Sequence, residues 1–468
     1  MQVPIISGIY ADTESEYRVA YPINMIPVPM AQGISAGYIK PAEGIIQFGT
    51  ASGTDRGGIN WNGEYYRVMG SSLLKIASDG TSTLIGDVGD DGNNVTLTYS
   101  FDRLAIASNS NLFYYNTTIG LIQVTDTDLG TVVDLVWVDG YFMTTDGEYL
   151  VVTDLADPTS VNPLKYGSSE ASPDPVTSLL KLRNEIYALN RYTIEVFSNV
   201  GTAGFPFQRV ESAQVERGCV GTHASAVFME SIAFIGGAEK EAVSIWMAGN
   251  ASSIKIATRE IDQLLSEYTE SQLSESVMET RVDKNHEFLY LHLPDKTLVF
   301  DGKSSAMFGQ PVWFVLSSNI DGDGIYNARN FVYCYNKWLC GNPSSTNHGY
   351  LTDTTMTHYG NAVGWEFSTS IIFNNTLGAI VHSLELIGLP GSVALGVNPS
   401  VTTKYTKDGL NWSPDRTITV GKQGERTKRI VWFQQGHMTH MRIQKFIGKS
   451  DARISFARLE ANIEGLNA

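Results

Sequence analysis

The chain has 468 residues, enough for a large core and two or three domains. Charged residues make up 18%, below the usual proportion of about a quarter; aromatics reach 10% and glycines number 44, a balance that suits strands and tight turns better than helices. The net charge of −16 excludes nucleic acid as the main ligand, because phosphate recognition needs a basic footprint.

The opening 60 residues read as an extended arm. Pro4, Pro22, Pro27, Pro29 and Pro41 lack amide donors and fix φ, which suits edge and irregular chain. Met1–Glu14 has neither the basic start nor the apolar run of a secretion signal, and no apolar stretch has the length of a membrane span. Cys219, Cys334 and Cys340 are odd in number and unpaired in spacing, so the expectation is a soluble protein assembled in a reducing cytoplasm.

From Trp61 a rhythm of paired strands begins. Tyr65–Met69 turns back as Leu73–Ile76, Leu104–Ala107 as Leu112–Tyr115, Tyr141–Thr144 as Tyr149–Val152, and Glu185–Leu189 as Thr193–Phe197. Weaker echoes follow at Ile232–Ile235 with Ser244–Met247, Phe288–Leu291 with Thr297–Phe300, and Phe331–Cys334 with Lys337–Cys340. The units recur roughly every 40 residues, the period of a β-propeller blade. One small sheet cannot bury both faces alone, whereas a ring of blades buries them and leaves short edges. The reading is a mainly β chain with a propeller of six or seven blades over 61–364; a sandwich built from similar hairpins is the alternative.

One helix is expected within this array, near 258–272. Thr258 is its N-cap, Glu260 and Asp262 occupy the first turn, and Ile261, Leu264, Leu265 and Tyr268 form an apolar stripe. A second helical turn is expected at 276–281. From Trp365 the texture changes to longer alternating strands: Phe367–Phe373, Ala379–Leu386, Val401–Tyr405, Ile430–Phe433, Met438–Gln444 and Ala452–Leu459. That pattern suits a β-sandwich-like domain over 365–468. Val401–Ala468 carries 12 Lys/Arg against 6 Asp/Glu, so an acidic body ends in a mildly basic domain. This could promote head-to-tail contact between copies, or simply reflect scattered surface charge.

Catalytic constellations are missing from the motif inventory: there is no Gly-rich phosphate loop, HExxH or nucleophile elbow. No catalytic, cofactor-binding or metal residue is assigned. His437 and His440 point to opposite faces of a strand. His286 and His292 share a face six residues apart with no third ligand, and read as structural. Asn319–Gly324 resembles the start of a calcium loop, but position twelve is Asn330 in place of the bidentate Glu, so a hairpin turn is expected. Thr406–Trp412 resembles an Asp-box turn, a structural motif even in sialidases; the propeller region is too Arg-poor to assemble their site. Asp87, Asp90 and Asp91, with Gly89 and Gly92, read as a solvated turn.

Several blocks resemble the tail hub (packaged-DNA stabilisation protein) family of Salmonella-type short-tailed phages. They are Tyr21–Met25, Gly37–Lys40 leading to Gly44-Ile45, and a block from Val277–Thr280 through His286-Glu287, His292–Pro294, Leu298–Asp301, Ser304-Ser305 and Trp313 to Leu339–Gly341. Thr406–Trp412 and the basic Arg429–Arg442 stretch resemble the family's end. The resemblance implies a structural protein and not an enzyme: a hexameric ring or nozzle below the portal–adaptor, next to the tailspikes and closed by the tail needle. Such a hub retains packaged DNA and later forms its ejection conduit, without specific DNA binding, cofactors or membrane insertion. It would reside in the virion tail after assembly in the host cytoplasm. The rival is a glycan-binding or sialidase-like propeller, which predicts carboxylates or arginines converging in an axial pocket.

Overall fold

The computed structural model describes the chain except residues 1, 4, 6–9, 12–16, 19–20, 31–34, 250, 375–376, 392, 395 and 467–468. Among the described residues, seven antiparallel meander sheets follow one another. Blade 1 runs Asp55–Trp61, Glu64–Met69, Ser72–Ile76, Ser82–Asp87, and blades 2 to 6 span 96–123, 134–168, 176–209, 218–255 and 277–316. Blade 7 has Arg329–Cys334, Lys337–Gly341 and Asn347–Thr352, and its fourth strand is Gly44–Thr50 from the far end of the chain. The first strands of successive blades pack side by side, ending with blade 7 on blade 1, so the ring is closed. The fold is therefore a β-propeller.

The expected hairpins are the middle strands of blades 1 to 6 and the first two of blade 7. The middle strands are apolar because both their faces are covered: Leu104–Ser108, for example, is buried at every position. Outer strands such as Ser82–Asp87 are half exposed, which removes the apolar signal.

The arm expected over 1–60 is corrected by this topology. Met25–Pro29 and Gly37–Pro41 are paired strands of the C-terminal sandwich, Gly44–Thr50 closes blade 7, and Asp55–Trp61 opens blade 1. Pro27 and Pro29 sit in a strand that pairs on one side only, where a missing amide costs no ladder bond. Proline thus marks a sheet edge here. Pro4 lies outside the described residues.

The helix expected over 258–272 is two short ones, α1 (Arg259–Leu265) and α2 (Glu270–Ser274), in the connection between blades 5 and 6. Thr269 breaks the run by starting a capping box with Gln272, while the Thr258 hydroxyl makes no cap bond and contacts the Tyr21 hydroxyl. The turn expected at 276–281 is instead the strand Val277–Asp283, the first of blade 6. A further helix, α3 (Gly302–Phe308), was not anticipated; Asp301 caps it through the Ser304 amide.

Two sheets form the remaining unit. One has the order Met25–Pro29, Gly37–Pro41, Phe456–Gly465, Ala379–Gly388, Ile430–Phe433; the other has Trp365–Ser368, Met441–Gly448, Ser400–Thr406, Arg416–Thr419. Between them pack Trp365, Phe367, Trp432, Phe446 and Phe456, all buried, which makes a β-sandwich. Asn24 lies where the two units meet. Its side-chain amide donates to the carbonyls of Ser317 (2.9 Å) and Gly364 (2.7 Å), and its side-chain oxygen accepts from Ser317 N (2.9 Å). Backbone bonds join Ile23 to Glu366 and Asn24 to Val315. Arg281 then clamps Glu43 beneath an aromatic cage of Phe288, Tyr290, Phe331 and Trp338.

Candidate functional site

Propellers place variable chemistry where the connections between blades converge on the axis. In a four-strand meander, the turn between second and third strands and the link to the next blade emerge at one end. Here those segments surround an axial cavity of about 670 Å³. Its walls include Asn94 before blade 2, His223 before blade 5, Glu275 before blade 6 and Arg329 at the start of blade 7. This is where the rival reading expects converging carboxylates.

Three carboxylates do approach the axis from the first strands, and each is engaged between blades. Asp134 in blade 3 accepts from Thr96 Oγ1 of blade 2 (2.6 Å), Ser178 Oγ (3.0 Å) and Leu179 N (2.7 Å) of blade 4, and Leu135 N (2.9 Å). Burial pushes its pKa up, and those donors oppose the rise. Ser178 continues the chain to Ser225 of blade 5 at 3.2 Å. Asp55 of blade 1 pairs with fully buried Arg67 and accepts from Asn330 Nδ2 of blade 7 (2.7 Å). Glu279 of blade 6 accepts from Asn330 N (2.9 Å), Phe331 N (2.6 Å) and His292 Nε2 (2.8 Å). His223 Nε2 lies 3.1 Å from the Asn94 carbonyl, and burial lowers its pKa. The carboxylate bonds tie first strands of neighbouring blades together around the axis, and the His223–Asn94 contact crosses it. They leave no two of the three carboxylates free to act as an acid–base pair.

The other motifs fall elsewhere. His286 lies 2.5 Å from Asp301, and His292 contacts Thr297 and Glu279, all inside blade 6. His437 faces Lys407 on the exposed sandwich, and His440 is exposed beyond it. In the calcium-like loop, Asp321 pairs with Lys449 and Asp323 with Lys296, while Asn330 is held by Asp55 and Glu279, so the six oxygens of a calcium loop are not assembled. Among the described residues no group of three or more His, Cys, Asp or Glu could hold a metal ion.

Asp408 of the Thr406–Trp412 turn accepts from Leu410 N (3.0 Å), Asn411 N (2.8 Å) and Asn411 Nδ2 (2.8 Å), which lowers its pKa strongly; the turn belongs to the sandwich. Asp91, expected in a purely solvated turn, instead pairs at 2.5 Å with the buried guanidinium of Arg56. Cys219, Cys334 and Cys340 are free and buried, and burial raises the Cys219 and Cys340 thiols to about 12, where they are unreactive.

Sequence reasoning missed the residues that matter most at the axis: Asp55, Arg67, Asp134, Glu279 and Asn330. Isolated polar residues at strand starts carry no spacing signal. A cue existed only in the charge of Asp134 and Glu279 beside otherwise apolar strand residues.

Comparison with known proteins follows the same division of the chain. A family model described as the β-propeller of bacteriophage P22 Gp10 matches residues 1–356. A second, described as the β-sandwich of the same protein, matches residues 364–464. The tail hub protein gp10 of Salmonella phage P22 is 28% identical, over 96% of this chain and 95% of its own length. Among solved structures, the N-terminal domain of Nup159 superposes with a TM-score of 0.42 at 10% identity, covering 70% of this chain and 97% of that one. The Pan2 WD40 domain of Neurospora crassa does so at 0.42 and 8%, covering 66% and 95%. With a closed propeller, a sandwich behind it and both family models matched in order, the chain belongs to the bacteriophage P22 Gp10 family, the family of that phage's tail hub protein.

Proposed function

We propose that this chain is the structural hub, or nozzle, of a short phage tail. Six copies form a ring below the portal–adaptor, the tail needle plugs it, and tailspikes attach beside it. The ring retains packaged DNA and becomes its exit conduit. The observation that carries this reading is the likeness to the P22 tail hub over nearly the whole length of both chains.

The propeller axis supports a particular version of it. First strands are held tightly together around the axis by Asp134, Asp55 and Glu279, and the His223–Asn94 contact spans it. A duplex therefore passes between copies, not through a propeller. Subunits of such a ring meet heterologously, one patch against a different one, with closure by rotation. The reading needs no catalytic residue, cofactor or metal, and the engagement of the axial carboxylates favours it over a glycan-cleaving propeller.

The test is electron microscopy of the chain mixed with the portal–adaptor complex of its phage. A six-fold layer beneath the adaptor supports the hub. A chain that stays monomeric and unbound counts against it.

A further inference from the structure

The net charge of this protein is gathered on one end of the propeller. The segments that surround the axial cavity or share its end are 88–95, 124–133, 146–148, 169–175, 191–193, 210–217, 238–243, 256–276, 293–296 and 317–328. Together they hold 20 Asp/Glu and 5 Lys/Arg, and Arg329 of the cavity wall adds a sixth cation. The turns at the opposite end, 62–63, 77–81, 100–103, 117–119, 139–140, 153–160, 183–184, 200–206, 229–230, 284–285, 302–312 and 335–336, hold 6 Asp/Glu and 4 Lys/Arg. One end is thus strongly negative and the other nearly balanced.

Of the cations at the acidic end, Arg191 is paired with Glu270, Arg217 with Glu241 and Lys296 with Asp295 and Asp323, while Arg56, Lys255 and Lys449 from outside these segments pair with Asp90 and Asp91, Asp262 and Asp321. The carboxylates still outnumber all of these cations by about two to one. Asp126 is held in the charged form by amides: it accepts from Asp128 N of its own turn and from Val161 N of the blade 3 loop that returns beside it, which lowers its pKa.

Exposed apolar side chains are sorted the opposite way. Phe101, Ile119, Leu155, Val200, Met229 and Met307 lie in turns of the balanced end, whereas the acidic end exposes only Ile320 and Ile325 among its large apolar residues. The cores of stable protein interfaces are depleted in Asp and Glu and enriched in apolar side chains. The acidic end is therefore built to stay wet, and the balanced end is the better interface.

We propose that the acidic end of the propeller fronts the DNA path and repels the passing duplex. This rests on the hub reading and adds an orientation to it. A phosphate backbone that meets only carboxylates gains no counterion release on contact, so it does not stick as it leaves. Two independent observations support it: like charge with the genome, and a surface unsuited to burial in a subunit contact.

The test is a set of phage particles built with Glu148→Lys, Glu170→Lys, Glu211→Lys and Glu239→Lys together, all exposed positions away from the axial cavity. A second set carries Asp79→Lys, Asp139→Lys, Asp157→Lys and Glu230→Lys at the other end. Genome release after triggering is timed at low and high salt beside wild type. The expected result is normal assembly, with release slowed several-fold at low salt and restored at high salt only in the first set. Normal release in the first set would place the acidic end away from DNA and overturn the proposal. Failure of the first set to assemble, with the second set intact, would make this end a docking face for a basic protein and also overturn it. Absence of a ring even with the wild-type chain would sink the hub reading itself, a separate outcome.

Discussion

Arg67 and Asp55 are fully buried where blade 1 meets blade 7, and Asn330 and the Tyr65 hydroxyl complete their bonds. Removing one partner of such a pair leaves the other charge without solvent or counterion, at a typical loss of about 3–5 kcal/mol. Arg67→Ala should lower the unfolding free energy by roughly that amount, read as a shift of the urea midpoint with little change in slope. A midpoint shift no larger than that of an exposed control such as Arg183→Ala would show that the pair does not hold the blades.

His348 and His358 act in the same region through protonation. Both are buried in and beside blade 7, and burial lowers each from 6.5 to about 4. The unfolded chain binds protons on these rings at higher pH than the folded chain does. Stability is therefore full above about 6.5 and falls as the pH drops towards 4. Melting temperature followed over that range should decline, and His348→Gln should flatten part of the decline.

None of these buried polar residues was legible beforehand. Asp55, Arg67 and His348 belong to no recognisable motif, and the bond that joins the Asp55–Arg67 pair to blade 7 is long-range: Asn330 is 275 residues from Asp55. The histidines and acidic turns that did attract attention, such as His286 and Asp321, did so because short spacing is visible, whereas long-range pairing is not.

At the scale of elements, the closing strand Gly44–Thr50 decides whether the propeller is a ring. It pairs with Asn347–Thr352, and Gly49 permits the contact: a Cβ there would lie 2.6 Å from His348 Nε2 and 2.7 Å from the Gly80 carbonyl. A chain lacking residues 1–50 should lose amide protection across blade 7 and the first strand of blade 1 in hydrogen exchange, while blades 3 and 4 keep theirs. Uniform protection across all blades would mean that the ring does not depend on this strand.

The same element explains what could be read and what could not. Six of the seven hairpins were visible because middle strands are covered on both faces and read as apolar runs; the seventh is the first two strands of blade 7. First strands, which carry the polar axial bonds, and outer strands, which are half exposed, gave too weak a pattern. The closing strand was hidden among prolines, whose meaning depends on tertiary context: the residues taken for an arm pair with strands of blade 7 and of the sandwich. The continuous helix over 258–272 failed for a local reason, the capping box of Thr269 and Gln272, which could have been found.

For the molecule as a whole, the net charge of −16 argues against duplex DNA as a ligand. The basic sandwich is small beside the acidic propeller, and its cations are partly paired, as in Arg429 with Glu385 and Lys445 with Glu366. The isolated chain should show no appreciable affinity for duplex DNA at physiological salt. A gel shift with tight, salt-sensitive binding would contradict that.

The hub reading itself turns on assembly. The most direct measurement is electron microscopy of this chain with its phage's portal–adaptor complex. The account predicts one new six-fold layer beneath the adaptor, with the lumen running between copies and each propeller axis closed. A chain that remains monomeric, or density for a duplex path through a single propeller, would contradict it.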